Sequence, residues 1–88
     1  MKYEVLVEVR LHDDIADPAG ATVERALPAL GFAGVEGVRV GKAVRFKVEA
    51  PGPEDALLRA EEVANRLLAN PVIESAGVRL LGLLEAPS

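Results

Sequence analysis

The sequence predicts an α+β domain of order β-α-β-α-β, with two helices on one face of a mainly antiparallel sheet in ferredoxin-like layering. Three observations predict it. Residues 3–11 and 38–48 each alternate apolar and charged side chains with a period of two. The stretches after them carry apolar residues at helical spacing, bounded by proline and glycine. A final apolar segment over residues 72–84 supplies the last strand.

The first strand is the clearest. Its odd positions read Tyr3, Val5, Val7, Val9 and Leu11, and its even positions Glu4, Leu6, Glu8 and Arg10, so one face meets a core and the other stays mostly charged. His12, Asp13, Asp14 and Asp17 follow. They lack the regular spacing of a divalent-cation loop, and they are read as a turn that caps the next helix. His12 has neither a nucleophile nor a second base near it, so nothing supports a catalytic role.

Asp17-Pro18 starts the first helix, with the carboxylate at the N-cap and proline at the first helical position. Val23, Leu27 and Leu30 form its apolar stripe, and Gly31 supplies a left-handed C-terminal residue. Pro28 removes the bond to residue 24, which predicts a kink or a tightened final turn. Gly20 is read as a place where another backbone comes close, in preference to an anion-binding turn.

In the middle strand Val38, Val40, Val44, Phe46 and Val48 take the even positions, and Arg39, Arg45 and Lys47 odd ones. Gly41-Lys42 invites a hairpin, but a two-residue loop would set Val38 beside Arg45 and an apolar face against a charged one. Gly41 is therefore read as a bend or bulge in one strand over residues 37–48. Such a strand spans roughly 40 Å at ~3.3 Å per residue, too long for a domain whose radius of gyration should be ~12 Å. A second copy of the chain is the simplest cover for the overhang, with dimer and tetramer both open.

Ala50-Pro51-Gly52-Pro53 breaks the chain, and Pro53, Glu54 and Asp55 open the second helix. Its inward stripe reads Leu57, Ala60, Ala64 and Leu67, widened by Val63 and Leu68, against an outer face of Arg59, Glu61, Glu62 and Arg66. Asn70-Pro71 ends it, with Asn70 expected in the left-handed conformation. In the last strand Gly77, Gly82 and the pairs Leu80-Leu81 and Leu83-Leu84 blur the alternation, which suits a strand buried on both sides or lying on another subunit. Residues 1–88 are read as one domain, with 85–88 a flexible tail.

Composition narrows the function. A formal charge of -4 and a pI of about 4.9 have the wrong sign for a nucleic-acid binder, and the strands lack the aromatics of an RNA-binding sheet. There is no cysteine, no signal peptide and no apolar run long enough to span a membrane, so a cytoplasmic location is expected. No nucleophile-base set, phosphate loop or zinc spacing occurs, and the chain is not expected to be an enzyme on its own. Its one concentrated feature is the basic set Arg39, Lys42, Arg45 and Lys47, either a solvated face or a docking surface for an acidic partner or a phosphate.

The segments DPAG at residues 17–20, VRVGK at 38–42 and LLANPVIE at 67–74, in this order and spacing, resemble the PurS family, the small subunits of phosphoribosylformylglycinamidine synthase. The resemblance covers essentially the whole chain. It implies a cytoplasmic, non-catalytic scaffold subunit of de novo purine synthesis and a shared-strand dimer. A glutaminase subunit would release ammonia from glutamine, and a large synthetase subunit, using ATP and magnesium, would consume it on formylglycinamide ribonucleotide. No cofactor or metal is expected on this chain alone. By the resemblance, Arg39, Gly41, Lys42, Arg45, Asn70 and Pro71 are the candidate subunit contacts. The rival reading is a ferredoxin-like dimer that senses a small molecule, distinguished by whether the isolated protein binds amino acids or nucleotides.

Overall fold

A computed structural model of the chain describes residues 1–85. Strand β1 (Lys2–Leu11) forms the centre of a three-stranded antiparallel sheet, with β2 (Gly41–Glu49) on one side and β3 (Glu74–Glu85) on the other. Between β1 and β2 come α1 (Pro18–Ala26) and a 3-10 turn (Pro28–Leu30). Between β2 and β3 come α2 (Pro53–Val63) and a π-helical turn (Ala64–Leu68). The α+β class and the element order are those expected. Of the tail expected over residues 85–88, only Glu85 falls among the described residues, as the end of β3.

The odd positions of β1 are the core. Tyr3, Val5, Val7 and Val9 are all buried, and the register flanks Val5 with Phe46 and Leu80 and Val7 with Val44 and Val78. Helix α2 and the π-helical turn that continues it lie over this face through a ridge of Ala56, Ala60 and Ala64, each buried and each four residues from the next. Small side chains let the helix axis come close to the valines beneath it. The packed ridge includes Ala56, which the expected stripe omitted, and excludes Leu67, which it included. Ala69 N–H bonds to Ala64 O at 2.9 Å, a five-residue closure that returns Leu68 to the core and leaves Leu67 78% exposed.

The blurred pattern of β3 has a geometric cause. Glu4 pairs with Gly82 while Val5 pairs with Leu80, and Lys2 pairs with Glu85 while Tyr3 pairs with Leu83. One residue is inserted at each break, Leu81 and Leu84, so Leu80 and Leu83 share a face despite their odd spacing.

Three expectations need correction. The middle strand does not run from residue 37; its ladder begins at Gly41, opposite Arg10, and ends at Glu49, opposite Lys2, so β1 covers its full length. No hairpin forms at Gly41, but residues 35–40 carry no regular structure and leave the sheet. Helix α1 does not join α2 on the sheet, and its packing is with its own 3-10 turn. Val38 and Val40 are drawn off by polar bonds that the alternation could not reveal. Asn70 is not left-handed, since no residue other than glycine has a positive φ among the described residues. It closes the corner with its side chain instead, Oδ1 accepting from Val72 N–H at 3.1 Å.

The result is long and flat, with a radius of gyration of 16.9 Å and extents of 55 × 30 × 14 Å. A compact chain of this length would have a radius of about 12 Å. The excess is the arm formed by residues 12–40.

Candidate assembly surfaces

The arm is built locally and then latched to itself. Asp17 Oδ1 accepts from Gly20 N–H at 2.9 Å, the N-cap bond the sequence predicts, and Pro18 takes the first helical position. The other carboxylate oxygen, Oδ2, accepts from Val40 N–H at 2.7 Å. Glu24 Oε1 accepts from Val38 N–H at 2.8 Å, so two donors spaced two residues apart are held by two acids of one helix. Arg39 closes the latch from the other side, its Nη2 donating to the carbonyls of His12 at 2.9 Å and Ile15 at 3.0 Å. The bond from Gly20 N–H comes first, and that from Val40 N–H second, in holding the Asp17 carboxyl below the ordinary value of 3.8. Partial desolvation opposes them, and the Arg39 charge adds to the lowering.

Two glycines make the latch possible. A Cβ on Gly20 would run into the carbonyl of Val38, so the close-approach reading of this residue holds. A Cβ on Gly41 would stand 2.6 Å from Val9 O, where β2 enters the ladder. At the far end Pro28 tightens the last turn into the 3-10 form, and Gly31 takes φ +90°, both as expected.

The apolar stripe of the arm has nothing to cover it. Val23 is 44% exposed, Leu30 69% and Phe32 56%, and Val35 and Val40 are exposed too. The inner face of the sheet is also incompletely covered. α2 packs most on β3 and least on β2, leaving Val44 and Phe46 only half-buried. The chain exposes 6235 Å². A compact monomer of 9.3 kDa would expose about 5,000 Å².

Of the residues singled out in the sequence, Arg39, Gly41, Lys42 and the Asn70-Pro71 corner come to one end of the sheet. Gly41 and Ser75 both face Arg10 there, and His12 N–H bonds to Ile73 O at 2.8 Å. Asn70 is committed to that corner: its carbonyl accepts from Glu74 N–H at 2.7 Å and its own N–H donates to Glu74 Oε1 at 2.7 Å. Arg45 lies apart, farther along the outer face, 3.7 Å from Glu4. Arg10, Ser75 and Arg79, missed in the sequence, sit near Gly41 and Lys42 because the strands pair in this register. Only the pairing joins segments so far apart in the chain. Among the described residues no three potential ligands cluster for a metal, and Asp13 and Asp14 are exposed. No described helix is long and apolar enough to cross a membrane.

Residues 4–82 match the family model described as PurS, phosphoribosylformylglycinamidine (FGAM) synthase. The chain belongs to the PurS family. A PurS subunit of phosphoribosylformylglycinamidine synthase from Synechocystis is 38% identical over 73 residues, covering 83% of this chain and 73% of that one. In the solved structure of PurLQS from Thermotoga maritima, one chain superposes with a TM-score of 0.84 at 32% identity, covering 92% of this chain and 99% of that one. PurS from Methanocaldococcus jannaschii, described as a subunit of formylglycinamide ribonucleotide amidotransferase in the purine biosynthetic pathway, superposes with a TM-score of 0.80. It is 30% identical, covering 96% of this chain and 100% of that one. The PurS likeness thus extends over the arm as well as the sheet.

Proposed function

We propose that this chain is the non-catalytic small subunit of a cytoplasmic FGAM synthase. It joins a glutaminase subunit to an ATP-dependent synthetase for ammonia transfer to formylglycinamide ribonucleotide. The observation that carries this reading is the near-complete, two-way match to a chain solved within PurLQS. In this role the chain makes and breaks no bonds. It fixes the separation of two active sites, so that ammonia released at one reaches the other before it is lost, an effect of proximity. ATP, magnesium and glutamine belong to the other subunits.

The subunit acts as a homo-oligomer in which copies exchange arms. The surface in excess of a compact monomer, about 1,200 Å², is more than the ~800 Å² each partner contributes to a standard interface. The Val23 and Leu30 stripe of one copy covers the half-open sheet face beside β2 of the other, giving the second helix of the layered fold that each copy lacks. Arg39 and Gly41 serve this chain's own shape, whereas Arg45 and the Asn70-Pro71 corner remain on the surface for the other subunits. The test is reconstitution from purified subunits. Co-elution of all three and glutamine-dependent FGAM formation that requires this chain are expected. Retention of neither partner would overturn the subunit role, and a monomer in sedimentation equilibrium would overturn the exchange.

A further inference from the structure

The side of α2 that faces β2 carries a second uncovered apolar strip. Ala56 and Ala60 pack with Tyr3, Val5 and Val48, and Ala64 with Val7 and Val9, so α2 runs back along β2 from its Glu49 end toward its Lys42 end. Arg59 and Val63 each stand one residue before a buried alanine, about 100° round the helix from that ridge. Arg59 Nη1 donates to Glu49 O at 2.8 Å, which fixes this flank as the one on the β2 side. Val63 is exposed there, and the π-helical turn delivers Leu67 beside it. A cleft of about 400 Å³ opens along Arg59, Glu62, Val63, Arg66 and Leu67. It is the helix wall of the opening whose sheet wall is the half-buried Val44 and Phe46.

Charge selects the occupant of this opening. Lys42 pairs with the buried Val9, so its side chain lies on the α2 face of the sheet, at the Leu67 end. Lys42 and Arg66 have no acidic partner among the described residues, and Glu62 is the one acid on the cleft. Residues 12–40 carry the opposite sign: Asp13, Asp14, Asp17, Glu24 and Glu36 against Arg25 and Arg39, a net of -3 out of the chain's -4. Asp17 and Glu24 are spent on the latch, which leaves Asp13, Asp14 and Glu36 for another surface. The same arm presents Val23, Leu30, Phe32 and Val35 uncovered. An acidic arm with an apolar stripe thus complements a basic-edged apolar groove, and such complementarity fixes register and partner. The groove is not filled by its own arm, since α1 packs on its own 3-10 turn. The arm that fills it comes from a second copy.

We propose that the partner's arm seats against this flank of α2, its apolar stripe on Val63 and Leu67 and its free acids beside Lys42, Arg59 and Arg66. The proposal rests on the exchange of arms and supplies its second wall. Two full-chain variants test it in sedimentation equilibrium. The arm variant carries Asp13→Lys, Asp14→Lys and Glu36→Lys, and the flank variant Lys42→Glu and Arg66→Glu. Each alone should self-associate at least tenfold more weakly than the native chain. Mixed, they should pair within threefold of native affinity, because every exchanged arm then meets a groove of opposite sign. A decoy with Arg45→Glu and Lys47→Glu, equal in net charge to the flank variant, should self-associate within threefold of native and should not pair with the arm variant. Leu67→Asp should weaken association at least tenfold, and Leu58→Asp, an exposed leucine on the far side of the same helix, less than twofold. The leucine pair carries the test if the charge variants fail to fold. A mixture no tighter than its components, or equal pairing with the decoy, would overturn the proposal. Native association in Leu67→Asp beside a loss in Leu30→Asp would overturn this seat and leave the exchange standing, whereas a native chain that stays monomeric would remove both.

Discussion

The sheet with α2 and the arm of residues 12–40 are made by opposite means. In the first, Val5, Val7, Ala56 and Ala60 are 0% exposed, and what holds them is contact between segments far apart in the chain. In the arm only Gly20 is buried, and what holds it is a set of directional bonds from Asp17, Glu24 and Arg39. Burial stabilises the one as it stands. The other has a defined shape and an uncovered apolar stripe, so its conformation is settled locally while its packing waits for another surface.

The contrast can be broken most sharply in the body. Ala60→Leu forces a large side chain between α2 and β1 and should cost roughly 2–3 kcal/mol, a fall in Tm of about 10 °C or more for a domain this small, read by thermal melting. In the arm, Leu30→Asp should leave that melting unchanged when the protein is dilute, yet weaken self-association at least tenfold in sedimentation equilibrium. A body-like loss of stability in Leu30→Asp would erase the distinction.

Asp17→Ala removes a cap and the acceptor for Val40 N–H, and should be seen as faster amide exchange at Gly20 and Val40 with β1 unaffected. The same latch gives a pH dependence of known sign. The Asp17 carboxyl is held below 3.8 in the folded chain, so its contribution is present above that value and is lost as the pH falls through the lower folded value. Amide exchange in the arm should therefore quicken in acid before β1 opens. The smallest effect is expected from Arg45→Gln, whose ion pair with Glu4 is 3.7 Å long and 66% exposed on the arginine side. It should change stability by less than about 0.5 kcal/mol.

The same division governs how much the sequence disclosed. Local signals read correctly in the arm: the Asp17 cap, Pro18, the tightening at Pro28 and the left-handed Gly31 each act over a few residues. The alternation of β1 located the core without error, because a central strand buried on one face has no other way to be written. Failure came where a distant group intervened. Val38 and Val40 carry a strand pattern, but acids 14 and 23 residues earlier hold their N–H groups. Leu67 fits the apolar period of α2, and a π-helical turn displaces it. The meeting of Gly41, Arg10 and Ser75 at one end of the sheet could not be read at all, since it joins three strands whose register no local pattern specifies.

The two inserted leucines of β3 bear on solubility. A chain that must keep an apolar stripe uncovered until a partner arrives is exposed to aggregation, and the commonest route for a sheet protein is ribbon growth by strand addition. Leu81 and Leu84 buckle one rim of the sheet over the second half of β3, so an incoming strand cannot match its spacing along the whole strand. Lys42 and Lys47 place ammonium groups along the other rim. Open-ended stacking is thereby discouraged on both flanks, while the apolar stripe of the arm stays available to a partner.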